Sequence, residues 1–344
     1  MRWKKMVTMV EAHAEGEIGR IVTGGVPSLP GKSILETLNW LNGDGEKLRR
    51  FLVFEPRGYA QMSTCLLLPA KYPEADIGFV IMQADKTHAM SGSNTICLST
   101  VLLECGHIPM TEPISRFTLD TASGLVDVEA ECADGACKAV KLRLAGCYAD
   151  QLDAELEVEG IGPVRVDIAF GGIFYALVDA ASIGLEIRPE NARRLVSAGS
   201  AIHRAVNSRL KIAHPDYPGL EGISYVMFTA REVNGDLRGA TIMPPGRVDR
   251  SPCGTGNAAR LAVMAARGEA GPGDEFIARS IIDSRFDVRI ADIRERDGHP
   301  MIIPEIRGRG WIYGMHQIGL DPDDPYPEGF QLTDCWGDAH DLLR

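Results

Sequence analysis

Short runs of β-branched and aromatic residues recur along the chain, and a few stretches switch to a helical period. Phe51 to Phe54, Ile77 to Met82, Gly124 to Glu129, Val164 to Phe170 and Ser224 to Thr229 predict strands. A helix is expected after Ser91, with apolar Ile96, Leu98, Val101, Leu102 and Leu103. A second is expected after Cys253, and a third from Pro189 to about Ala205. Fifteen positions separate Ser91 from Gly106, and fifteen separate Cys253 from Gly268, so both small-residue helices end at a glycine cap. Ile21-Val22-Thr23-Gly24-Gly25 and Ile168-Ala169-Phe170-Gly171-Gly172 form a second matching pair, each a β-rich run broken by two glycines. Two matches in the same order predict a duplicated, two-lobed α/β chain. The first lobe is expected over 1–155, joined by 320–344, and the second over 156–319. The acidic stretch Asp150 to Glu159 reads as an exposed connection, and the segment after Leu320 as irregular until Asp338.

The helix starts carry candidate chemistry. Cys253 lies in Asp249-Arg250-Ser251-Pro252-Cys253-Gly254-Thr255-Gly256, where first-turn N–H groups and the helix dipole are expected to ease loss of the thiol proton. The Gly254 and Thr255 N–H groups suit a substrate carboxylate. Ser91, in Met90-Ser91-Gly92-Ser93, reads locally as an ordinary N-cap, and its pairing with Cys253 makes it a site candidate. A base beside a carboxylate clamp points to acid–base work on an amino or hydroxy acid.

Composition narrows the partners. The chain has 344 residues, a net charge of −11 and 45% hydrophobic content, which suits two packed cores and argues against nucleic acid or an anionic membrane surface. The apolar run at the start is too short for a signal peptide and no stretch reaches the length of a membrane span, so a cytoplasmic protein is expected. Cysteines at 65, 97, 105, 132, 137, 147, 253 and 335 then read as reduced thiols, and their spacing lacks a zinc pattern. Leu29-Pro30-Gly31-Lys32-Ser33 lacks the first glycine of a phosphate-binding loop and reads as a turn between strands. Gly254-Thr255-Gly256 lacks the acidic ribose partner of a dinucleotide site. A cysteine hydrolase would draw on His13, His88 or His214, with no accompanying signature.

The run Asp249 to Gly256 resembles the second catalytic motif of the proline racemase family. Glu55-Pro56-Arg57-Gly58, Asp120-Thr121 with Gly124, and Asp167-Ile168-Ala169-Phe170-Gly171-Gly172 are further family-like stretches. The resemblance implies the diaminopimelate-epimerase-like fold, two similar α/β lobes around a central cleft, often dimeric, with no cofactor or metal. It implies an imino-acid substrate whose carboxylate is held by Gly92, Ser93, Gly254 and Thr255 and whose ring ammonium pairs with Asp249.

One departure shapes the expected reaction. The family's first motif usually reads Met-Cys-Gly-His, and here Ser91 and Ser93 replace the cysteine and the histidine. A thiol and a hydroxyl suit elimination better than a symmetric two-thiol racemisation. The reading drawn from sequence is therefore dehydration of trans-3-hydroxy-L-proline to Δ1-pyrroline-2-carboxylate, with Cys253 and Ser91 as the acid–base pair. The alternatives are a 4-hydroxyproline 2-epimerase, as sole or second activity, and an inactive imino-acid binder.

Overall fold

The computed structural model describes residues 4–296 and 299–332. Cys335 and the end of the 320–344 segment lie outside the described residues. The first half of the chain runs through β1 (Met6–Ala14), β2 (Glu17–Gly24), α1 (Ile34–Leu41), α2 (Glu46–Val53), β3 (Thr64–Leu68), β4 (Ile77–Met82) and β5 (Thr87–His88). It continues through α3 (Gly92–Glu104), β6 (Ile114–Thr121), β7 (Gly124–Ala133) and β8 (Ala136–Arg143). After β9 (Cys147–Val158) come β10 (Gly162–Phe170), β11 (Phe174–Asp179), α4 (Ala192–Arg209), β12 (Tyr225–Arg231), β13 (Leu237–Met243) and β14 (Arg247–Val248). Then follow α5 (Gly254–Ala266), β15 (Glu275–Arg279), β16 (Arg285–Arg296), β17 (His299–Gly308) and β18 (Gly310–Gly319).

Strand pairing repeats between the halves. The pairs β1–β2, β3–β4, β4–β5, β6–β7 and β7–β8 are antiparallel, whereas β2–β3 and β4–β6 are parallel. In the second half β10–β11, β12–β13, β13–β14, β15–β16 and β16–β17 are antiparallel, and β11–β12 and β13–β15 are parallel. Strands β1 to β8 thus correspond one by one to β10 to β17. The extra strands flank equivalent positions, β18 beside β1 and β9 beside β10, and β8 joins β17 between the halves.

Helices α3 and α5 are equivalent in this repeat and each has 13 residues. Gly106 and Gly268 follow their C-caps with φ of +74° and +71°, a left-handed turn suited to glycine. The bonds that close them also match: Gly106 N–H reaches Leu103 O, and Gly268 N–H reaches Ala265 O. The Gly-Gly match does not survive. Gly24-Gly25 ends β2, but Gly171-Gly172 follows β10, the counterpart of β1, so the two runs occupy different places in the repeat.

Other expectations also change. Phe51 to Phe54 ends a helix, because Leu48, Phe51 and Leu52 repeat at helical spacing and Phe51 and Leu52 are fully buried. Asp150 to Glu159 is mostly the strand β9: Leu156 and Val158 point inward, while Glu155 and Glu157 alternate outward. Leu29 to Ser33 joins a strand to a helix rather than two strands. Ser33 accepts from Glu36 N–H at 3.1 Å and Glu36 accepts from Lys32 N–H at 2.7 Å, which starts α1. The Pro189 helix begins as a 3₁₀ turn and continues as α4, which buries Leu195, Gly199, Ile202 and Val206 against β12 and β13.

Candidate active site

Glycines bring the two equivalent helix starts into contact. A Cβ on Gly92 would lie 2.8 Å from Gly254 Cα, and one on Gly254 would lie 3.0 Å from Gly92 Cα. Backbone cannot yield as a flexible side chain can, so position 1 of each helix must be glycine for the pair to meet. Gly171 and Gly172 pack over the same place, where a Cβ would strike Thr255 O and crowd Met90. Ser91, Gly92, Ser93, Cys253, Gly254 and Thr255 therefore gather at one point, with the free N–H groups of two helices converging there.

The two N-cap residues differ. Ser91 is extended, with φ −153°, and its hydroxyl makes no capping bond. Instead Asn94 Nδ2 donates to Ser91 Oγ at 3.0 Å, and Ser93 Oγ lies 3.4 Å away. Asn94 is itself buried, and its Oδ1 accepts from Cys65 at 3.6 Å. The Ser91 oxygen thus accepts from the Asn94 amide, and either serine hydroxyl can donate across the contact with Ser93.

Cys253 has φ +69°, an uncommon conformation for a residue with a side chain. Its Sγ lies 3.4 Å from the Tyr175 hydroxyl, its N–H donates to Ser251 Oγ at 3.1 Å, and Ser251 N–H donates to Asp249 Oδ1 at 2.8 Å. The expected easy ionisation is not met. Burial and then the charge of Asp249 push the thiol up to about 12, against the pull of the Thr241 and Tyr175 hydroxyls and the Gly256 N–H. Desolvation outweighs the helix start here.

Asp249 is buried beside a second ionic group. Arg247 pairs with Glu17 across the two halves, and Arg250 N–H donates to the other Glu17 oxygen at 2.8 Å. Burial and the Glu17 carboxylate push Asp249 up to about 8, while Arg247 pulls it down. Glu17, Arg247 and Tyr175 were not singled out from sequence, since none belongs to a local motif; Asn94, three positions after Ser91, was passed over as part of the helix start. The histidines have other partners: His88 Nε2 meets Asp85 at 3.1 Å, His214 Nδ1 accepts from Asp216 and Tyr217 N–H, and His13 stacks on Trp311. Among the described residues, no group of three or more His, Cys, Asp or Glu side chains gathers as metal ligands do.

The proline racemase family model matches residues 9–331. The chain belongs to the proline racemase family. A 4-hydroxyproline 2-epimerase from Allorhizobium ampelinum is 49% identical over 346 residues, covering 100% of both chains. One from Agrobacterium fabrum is 50% identical over 339 residues, covering 98% of each. Among solved structures, a hydroxyproline epimerase from Agrobacterium vitis with bound trans-4-hydroxy-L-proline superposes with a TM-score of 0.95 at 50% identity. That match covers 99% of this chain and 100% of the other. A PhzF-family phenazine biosynthesis protein from Bacillus anthracis shares the fold at 12% identity, with a TM-score of 0.54 over 92% of this chain and all of the other. The expected two-lobed, epimerase-like α/β fold is thus the fold of this family member. No described helix is long and apolar enough to cross a membrane.

Proposed function

We propose that this protein is a 4-hydroxyproline 2-epimerase that works without a cofactor, using Cys253 and Ser91 as its acid–base pair. The observation that carries the reading is the contact between Gly92 and Gly254, which sets a thiol and a hydroxyl beside two converging helix starts. The Gly92, Ser93, Gly254 and Thr255 N–H groups hold the substrate carboxylate and stabilise the charge that develops when Cα loses its proton. Asp249 meets the ring ammonium. Cys253, as thiolate, takes the α-proton, and Ser91 delivers one to the other face of Cα. The 49–50% identical relatives named as 4-hydroxyproline 2-epimerases support this reading, as does the hydroxyproline-bound relative. They reverse the order of preference drawn from sequence.

Dehydration of trans-3-hydroxy-L-proline is the second reading, favoured by the Asn94 bond, in which Ser91 accepts and so remains able to donate its hydroxyl proton. In that reaction Cys253 removes the α-proton, Ser91 protonates the departing 3-hydroxyl, and water leaves. The resulting enamine tautomerises to Δ1-pyrroline-2-carboxylate. Proton NMR in D2O with each substrate separates the two readings. Loss of the α-proton signal and inversion of trans-4-hydroxy-L-proline are expected. Conversion of the 3-hydroxy isomer alone transfers the assignment to the dehydratase, and silence with both overturns it in favour of a binder.

A further inference from the structure

Tyr175 gives the candidate thiol a hydroxyl neighbour that no motif accounts for. It is the second residue of β11, fully buried, with its hydroxyl 3.4 Å from Cys253 Sγ and 2.7 Å from Thr255 Oγ1. Local packing is arranged around that contact. A Cβ at Gly256 would lie 2.9 Å from the sulfur, 2.8 Å from Met227 Sδ and 3.3 Å from Tyr175 Cε1. Glycine at 256 is what lets thiol and phenol share the space. The neighbouring Tyr225, whose ring lies 5.8 Å from that of Tyr175, directs its hydroxyl elsewhere, to Gln83 Oε1 at 3.0 Å. Burial, followed by the charges of Cys253 and Tyr225, holds the Tyr175 phenol well above the ordinary tyrosine range, so it keeps its proton.

That single proton has two acceptors within reach. With Cys253 as a thiol, Tyr175 is free to donate to Thr255 Oγ1, at 2.7 Å. With Cys253 as a thiolate, Tyr175 donates to Sγ, and the Thr255 hydroxyl turns to donate to the phenol oxygen. Two O–H rotations make the change, and no heavy atom moves. We infer that Tyr175 is a positioning residue whose hydroxyl bond follows the protonation of Cys253, stabilising the thiolate in a site where burial opposes charge. The inference rests on Cys253 as the proton-transfer group, but its test reads protonation rather than turnover.

Full-length protein is alkylated with iodoacetamide across a pH series, and modification of Cys253 is followed by mass spectrometry of its peptide. Losing one hydrogen bond to an ion moves a pKa by about one unit, so Tyr175→Phe is expected to shift the Cys253 profile upward and slow its alkylation about tenfold at fixed pH. Tyr225→Phe is expected to leave the profile in place. A Tyr175→Phe profile that superimposes on the parent overturns the inference, as does an equal shift from Tyr225→Phe. If Tyr175→Phe does not fold, 3-fluorotyrosine at 175, a stronger acid and donor, is expected to lower the profile; an unchanged profile then overturns it. An inactive protein still gives this profile, so failure of the proposed reaction and failure of this inference are read separately.

Discussion

The Ser91 and Cys253 helix starts share one architecture and differ in chemistry. Both begin a 13-residue helix with glycine, follow a short antiparallel strand, and close through the same left-handed turn. Yet Ser91 is extended and held by Asn94, whereas Cys253 adopts a left-handed backbone beside a phenol and a buried acid. A left-handed conformation costs a residue with a side chain about 1–2 kcal/mol. The duplicated frame supplies the amides on both sides, and this strain is confined to the side that carries the thiol.

The comparison breaks most sharply at the sulfur. Cys253→Ser is expected to reduce turnover by about 10³-fold, within the usual contribution of a positioned acid–base group; near-parental kcat would remove Cys253 from the chemistry. Ser91→Ala is expected to cost less, about 10²-fold in kcat with KM little changed, because solvent can replace a hydroxyl donor in part. Steady-state kinetics on both substrates reads this, and a raised KM with kcat unchanged would make Ser91 a binding group instead.

Gly92→Ala tests the frame itself. Its Cβ meets Gly254 Cα at 2.8 Å, so a loss of about 1–3 kcal/mol is expected by urea titration. Asp249 gives the gentlest probe. Its folded pKa, raised to about 8, means that the folded protein binds more proton than the unfolded chain above the ordinary carboxylate range. The associated stability is present at low pH and is lost as pH rises toward 8, by at most about 1.4 kcal/mol per pH unit. Asp249→Asn, a mimic of the protonated acid, is expected to flatten that slope in urea midpoints of the ligand-free protein. It should also lower the Cys253 alkylation profile, since the Asp249 charge helps hold the thiol up.

What the sequence reveals depends on how local the cause is. The helix pair was legible because N-cap, glycine and turn are set within sixteen residues, and Ile77–Met82 because its apolar run is itself the strand. Phe51 to Phe54 misled because four residues cannot separate a buried strand from the last turn of a helix whose first turn is charged. In β9 the acidic residues drew attention away from the alternating Leu and Val positions. Tyr175, Glu17 and Arg247 owe their importance to partners 78 to 230 positions away, and no pattern along the chain encodes such meetings. The easy ionisation expected of Cys253 failed for a related reason: desolvation belongs to the surroundings, and the sequence displays only the helix start.

The touching glycines act as a rivet between the halves. Backbone is pressed on backbone there, and strand pairing between β8 and β17 ties the same halves together. The spacing of the two helix starts is therefore set by main chain, and the side chains at 91 and 253 can differ without altering it.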